Sequence, residues 1–368
     1  MAKHRGRGIA AIEYPTGMNQ NGDPSQAWIK LKMDGRVDVF AGTVDIGQGS
    51  KTVHSQIVAD TLGVPMDWVT MDTSNTDSSA FCMGTFASRG TFIGGNAVRL
   101  AAEKVRNRIL EIGGELLEID PGDLEIIDGE VIAKGSPDKK IGVGDIAGAA
   151  TFVKGELISG QGTALKDYAT LDPETGAVTI PPHSAISYAA CAVEVEVDEE
   201  TGDVRVIKMS QVYDVGCAIN PTMVEGQIEG GAVQGLGLGL LENCYPYYPS
   251  NDHRGGQFGS YLAPSMEDLP ELECIILENP SADGPFGAKA IGEMANNAQP
   301  PAIATAIYNA VGVWVTELPI TPEKVLRALE AKAAGIPESV TTGKVVRYDE
   351  ALSITSHQSA DAVVTFAV

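Results

Sequence analysis

Clustered cysteines are missing from this sequence. Its five cysteines, Cys82, Cys191, Cys217, Cys244 and Cys274, stand far apart, and none forms a C-x-x-C pair. The chain therefore offers no iron–sulfur or zinc cradle of its own, and the scattered count fits reduced thiols in a cytoplasm. Positive charge is also scarce: 26 basic against 49 acidic residues leave a net charge of −23. That balance speaks against nucleic acid and against an anionic membrane surface. It does not exclude an anionic cofactor, because backbone N–H groups hold phosphates without lysines. Long hydrophobic runs are lacking: no stretch approaches about 18 uninterrupted apolar residues, and no apolar h-region follows Met1 to Arg7. Internal repeats and low-complexity tracts are lacking too. The expectation is a cytoplasmic chain with no membrane insertion.

What is present is a globular composition. The 368 residues are 43% hydrophobic, enough for a substantial core and two subdomains. Glycine is abundant, at 42 residues without a G-X-Y period, and reads as turns and close backbone approaches.

Alternation over 26–44 around Asp34-Gly35 predicts a β-hairpin. It runs into Asp45-Ile46-Gly47-Gln48-Gly49-Ser50. Ser50 is the candidate N-cap of a helix carrying Val53, Ile57, Val58 and Leu62 and ending at Gly63. A glycine turn with free N–H groups at a helix N-terminus suits an anion or a polar heterocycle; most such turns are merely structural. A strand at Trp68–Met71 precedes a second small-residue turn, Gly84-Thr85-Phe86-Ala87-Ser88-Arg89-Gly90. A long helix then stops at Gly113-Gly114. Arg89 reads either as a surface ion pair or as an oxyanion contact.

Residues 115–180 look peripheral, with a hairpin at Asp128-Gly129 and a short helix near Val143–Ala149. Strands resume at Ala190–Val197 and Val204–Val212. Val224 to Leu241 has helical apolar spacing yet contains Gly226, Gly230, Gly231, Gly235, Gly237 and Gly239. Each interior glycine costs a helix about 1 kcal/mol relative to alanine. Close packing against another body would offset that loss. Gly287-Ala288-Lys289-Ala290-Ile291-Gly292-Glu293 then brackets one carboxylate with small residues, so Glu293 reads either as a partly desolvated base or as a solvated helix-start glutamate. Two helices follow, the second opened by Thr321-Pro322. Residues 338–368 look like a tail lying on a partner.

Taken together, DIGQGS at 45–50, GTFASRG at 84–90, the 214–237 run DVGCAINP to EGQIEGGAVQGLG, and GAKAIGE at 287–293 resemble the molybdenum hydroxylases of the xanthine dehydrogenase/aldehyde oxidoreductase family. The resemblance spans about His4 to Ala334. It implies an α+β molybdenum-binding fold with subdomains at 1–180 and 181–337, followed by the tail. Only the C-terminal half of the family's molybdenum-binding region is matched, which implies one piece of a split subunit, as in bacterial nicotinate dehydrogenase. The implied partners are an N-terminal-half molybdenum subunit, a 2Fe–2S subunit and an FAD subunit. The implied cofactor is a molybdenum–molybdopterin, in its cytosine dinucleotide form, with no metal ligand from this chain.

By the same resemblance Gly47, Gln48, Gly49, Phe86, Ala87, Ser88, Arg89 and Gln234 would hold the cofactor. Glu293 would take a proton from the metal-bound hydroxide, whose oxygen enters an electron-poor carbon of a small organic substrate. The alternatives are a hydratase or reductase-type enzyme on an enone or aromatic thioester, and a cofactor-holding subunit whose partner is catalytic. Met294-Ala295-Asn296-Asn297 departs from the family's Pro-Pro-Leu after the base. The loops Tyr14–Asn19 and Phe81–Met83 flank the cofactor turns and read either as cavity walls or as plain surface.

Overall fold

The computed structural model describes residues 3–18, 22–165, 172–177, 185–243, 259 and 261–336. Cys244, Asn19 and the expected tail lie outside the described residues. The fold is α+β, built as two sheet-and-helix layers that meet at a cavity.

In chain order the elements are β1 (Lys3–Thr16), β2 (Ser25–Leu31), β3 (Val37–Ala41), α1 (Ser50–Leu62), β4 (Val69–Asp72) and α2 (Gly95–Leu117). There follow β5 (Leu124–Ile127), β6 (Glu130–Ala133), β7 (Ser136–Gly142), α3 (Val143–Lys154) and β8 (Ser159–Ala164). The second half holds β9 (Ala185–Asp198), β10 (Val204–Asp214), α4 (Pro221–Leu240), β11 (Glu271–Leu277), α5 (Gln299–Val311) and α6 (Pro322–Ala333).

The first layer is the sheet β4-β3-β2-β8 with α1 and α2 over it. The expected hairpin is β2–β3, and its alternation puts Ala27, Ile29, Leu31, Val37 and Val39 into the core. The second layer is the sheet β1-β9-β10-β11 with α5 over it. β10 and β11 run parallel while the other pairs are antiparallel. A small third sheet, β5-β6-β7, leans with α3 on the end of α2.

Three features differ from expectation. The helix α2 passes straight through Gly113-Gly114 and ends at Glu118, which takes φ +58°. A Cβ at Gly113 would stand 3.2 Å from both Val131 and Ile146, so this glycine makes room for a neighbour and does not end a helix. Residues 115–180 are not peripheral, because β8 is an edge of the first sheet. Finally β1, from the first sixteen residues, crosses to the second sheet and pairs along its length with β9.

Both unforeseen edge strands use one device. A Cβ at Gly6 or Gly8 of β1 would lie 2.1 Å from a carbonyl oxygen of α5, at Ala306 or Ala302. At Gly160 or Gly162 of β8 it would lie 2.3 or 2.1 Å from the Ala101 or Ala97 carbonyl of α2. A G-x-G pair against an alanine face lets strand and helix backbones touch.

Candidate cofactor-binding site

The loop after β3 is organised by Asp45. Its Oδ1 accepts from Gly47 N at 2.9 Å and its Oδ2 from Lys51 N at 2.9 Å. Asp45 thus caps α1 from outside the helix. The N-cap position belongs to Gly49, with φ +85°, and Ser50 is the first helical residue, not the expected cap. Burial pushes the Asp45 carboxyl up, but the N–H groups of Lys51, Gly47 and Gly49 outweigh it and hold it below the usual range. Gln48 is strung across the same loop: Oε1 accepts from Ile46 N (2.7 Å) and Nε2 donates to Val44 O (3.0 Å).

The second turn carries left-handed backbone at two consecutive non-glycine residues, Ala87 (φ +49°) and Ser88 (φ +48°). Such geometry persists only when its surroundings over-determine it. Here Ala87 O accepts from Gly17 N at 2.9 Å and Phe86 O from Arg89 N at 3.1 Å. Arg89 locks the turn from behind. Its side chain is wholly buried, Nε lies 2.7 Å from Asp23 Oδ1, and Nη1 donates to Gly84 O (2.7 Å) and Cys82 Sγ (2.8 Å). Nη2 donates to Pro24 O at 3.0 Å. The guanidinium is thus neither at the surface nor free. Burial pushes the Cys82 thiol up, yet the Ser25 hydrogen bond, the Arg89 charge and the Gly84 and Thr43 contacts bring it net below its ordinary value. Beneath the turn, buried His54 donates from Nε2 to Gly90 O at 3.0 Å, the only role a carbonyl permits. Desolvation holds this imidazole below its usual value.

The glycine-loaded segment is indeed a helix, α4. Cβ atoms at Gly231, Gly235 and Gly239 would meet Ala295, Gln299 and Ile303, so this face packs on the segment after Glu293. Gly237 is closed off by Glu242 and Pro264, whereas Gly226 and Gly230 have nothing within 4 Å. The expected close packing therefore accounts for one face only; Gly230 opens on the cavity. Gln234 is exposed on the same helix, with its Oε1 accepting from Asn296 at 3.4 Å.

The fourth segment is anchored by a second buried ion pair, Lys289 Nζ to Asp214 Oδ2 at 2.6 Å. Glu293 opens a short 3-10 turn, Glu293–Asn296. Its Oε2 accepts from the Tyr14 hydroxyl at 2.5 Å and its Oε1 from Ala87 N at 3.2 Å. The carboxylate is exposed, which corrects the expectation of a partly desolvated one. Below it, Ala295 O accepts from Tyr213 (3.1 Å) and from Gln299 (2.8 Å), and Met294 is fully buried.

These segments enclose a cavity of about 640 Å³. Gly47, Gln48, Phe86, Ser88, Arg89, Gln234 and Glu293 all reach its wall. Gly49 and Ala87 stand behind it, one turned toward Met223 and the other giving its N–H to Glu293. Asp23, Asp45, Asp214 and Lys289 brace these turns, and before folding they look like any loop carboxylate or loop lysine. Tyr14 was visible only as part of a flanking loop.

The wall fits a polar, multiply hydrogen-bonding group. The hydroxyls of Ser50 and Ser88 line the cavity, buried and without a partner. An added side chain would find open space at Gly47 and Gly230. The two cations on the wall, Arg89 and Lys289, are already paired. An anion here would be held by N–H groups and hydroxyls, as the net charge suggested.

The model of the molybdopterin cofactor-binding domain matches residues 1–270. The chain belongs to this family. It is 36% identical over 331 residues to the probable hypoxanthine oxidase XdhD of Escherichia coli, covering 89% of this chain and 32% of that protein. It is 32% identical over 305 residues to the nicotine 6-hydroxylase large subunit of Paenarthrobacter nicotinovorans, covering 82% and 36%. Among solved structures, quinoline 2-oxidoreductase from Pseudomonas putida superposes with a TM-score of 0.78 at 30% identity, over 89% of this chain and 42% of that one. The chain spans about a third of the length of the curated relatives it matches. The resemblance to molybdenum hydroxylases therefore holds, and with it the α+β molybdopterin-binding fold. Among the described residues no helix is long and apolar enough to cross a membrane.

Proposed function

We propose that this chain supplies the cofactor-holding wall and the general base of a molybdenum hydroxylase. The observation that carries the reading is Glu293: a carboxylate with both oxygens oriented by donors, on a cavity wall it shares with the buried hydroxyls of Ser50 and Ser88 and with the open Gly47 and Gly230. Gly47, Gln48, Phe86, Ser88 and Gln234 would hold the molybdopterin, in its cytosine dinucleotide form, with Gly49 and Ala87 shaping the turns behind them. Arg89 acts from behind by fixing the Ala87–Ser88 turn, with its guanidinium committed to Asp23. When bound, the cofactor supplies a two-electron oxidation and a water-derived oxygen. Glu293 would serve as the proton acceptor for that chemistry, its carboxylate standing on the cavity wall. The substrate is a small electron-poor organic molecule. The relatives' names, which include a nicotine hydroxylase and a hypoxanthine oxidase, support a nitrogen heterocycle.

We divide the chain into subdomains at 1–180 and 181–337, with β1 pairing onto the sheet of the second. The remaining machinery is provided by an N-terminal-half molybdenum subunit together with 2Fe–2S and FAD subunits, in the cytoplasm. Support for partner subunits comes from relatives named as a large subunit and a large chain.

The decisive experiment is Glu293→Gln, measured as turnover per bound molybdenum. Removal of a general base lowers the rate by about 10²–10⁴-fold while molybdenum content stays near normal. Full occupancy with turnover within about threefold of wild type, far short of that loss, would remove Glu293 from the mechanism.

A further inference from the structure

Glu293 begins a short turn and is exposed, and among the described residues the cations facing its cavity are already paired. The cations facing the same cavity are Arg89, committed to Asp23, and Lys289, committed to Asp214. The remaining titratable group on the wall is the Cys217 thiol. From α4, Glu225 and Glu229 act on Cys274, and from β1, Glu13 lies on the opposite strand face from Tyr14. What fixes Glu293 is therefore the pair of donors on its two oxygens.

One of these donors is tertiary in origin. Tyr14 sits near the end of β1, held in register opposite Ser187 of β9, and reaches the carboxylate from 279 positions away in sequence. Three residues later Gly17 N donates to Ala87 O, so β1, the left-handed turn and the Glu293 turn are tied into one unit. A donor aimed at a carboxylate favours its ionised form. Burial, then the hydrogen bond and charge of Glu293, hold the phenol well above its ordinary value, while the nearby Ser88 hydroxyl pulls the other way. The phenol thus stays a donor throughout the working pH range.

We propose that Tyr14 is a positioning residue that fixes the orientation of the Glu293 carboxylate on the cavity wall. This rests on the reading of Glu293 as the proton acceptor. Without the phenol the carboxylate keeps one donor, Ala87 N, and loses the other, so its orientation is no longer fixed from both sides.

The test uses the assembled, molybdenum-loaded enzyme. In Tyr14→Phe kcat is expected to fall by about tenfold with KM near wild type, the size of a charge-assisted hydrogen bond. Molybdenum content should hold. The infrared carboxylate bands of Glu293, assigned by their disappearance in Glu293→Gln, should shift in Tyr14→Phe without reference to turnover. Placing 3,5-difluorotyrosine at position 14 makes the phenol a stronger donor in the same shape and should move these bands in the opposite direction. If Tyr14→Phe fails to assemble, the fluorinated enzyme decides. Bands unchanged in either variant would overturn the proposal. Failure of the base reading has a different signature, undiminished turnover in Glu293→Gln, and leaves the infrared bands measurable.

Discussion

The two halves of the molecule each present a turn to the cavity, and each turn is braced by a buried ion pair. In the first half Arg89–Asp23 lies behind Ala87 and Ser88, with both side chains fully buried. In the second, Lys289–Asp214 lies behind Ile291–Glu293, at 8% and 3% exposure. The first turn is held in left-handed backbone and offers an unpartnered serine hydroxyl. The second leaves its carboxylate exposed and oriented from outside by Tyr14 and Ala87. The contrast separates two tasks. A cradle needs rigid donors and tolerates strain, whereas a group that takes up and releases a proton needs access.

The largest expected effect breaks this symmetry. Asp23→Asn leaves the Arg89 charge buried without its counter-ion and should cost about 3–5 kcal/mol. Lys289→Met leaves Asp214 with the Gly216 N–H and Asn279 still donating, and should cost less, about 1–3 kcal/mol. Chemical denaturation of both variants tests the order; equal losses would show that the two braces are equivalent. The smaller loss should also spare cofactor retention on the first turn.

A second pair of substitutions asks whether the two layers share one packing device. Gly8→Ala and Gly162→Ala each drive a methyl to within 2.1 Å of a helix carbonyl oxygen. Each should cost about 1–3 kcal/mol by overpacking. A mild effect at one position alone would mean that its strand can lift off its helix.

The smallest effect concerns acid. The Asp45 carboxyl is depressed in the folded state, so its contribution is present above the unfolded-chain value and is lost as pH falls through the folded one. Asp45→Asn should therefore lower stability at neutral pH and reduce the difference from wild type in acid. Thermal unfolding along a pH series from neutral into the acid range reads this; a constant difference at every pH would exclude the carboxylate's charge as the cause.

Sequence alone determined the pieces that local chemistry specifies. The β2–β3 hairpin follows from alternation around Asp34-Gly35, α6 from the Thr321 cap, whose side chain accepts from Lys324 N, and α4 from its apolar spacing despite six glycines. The motifs at 45–50, 84–90, 214–237 and 287–293 were enough to place the chain in its family. Tertiary structure alone decided the rest. β1 and β8 carry G-x-G where a strand pattern wants bulk, and that pattern acquires meaning only against the alanine faces of α5 and α2. Arg89 could have faced solvent or a phosphate until Asp23, 66 positions earlier, claimed it. Glu293 was legible as a carboxylate among small residues, but its exposure and its Tyr14 partner depend on a strand from the far end of the chain. Burial and hydrogen-bond partners are properties of a packed neighbourhood, and no window of sequence contains the neighbours.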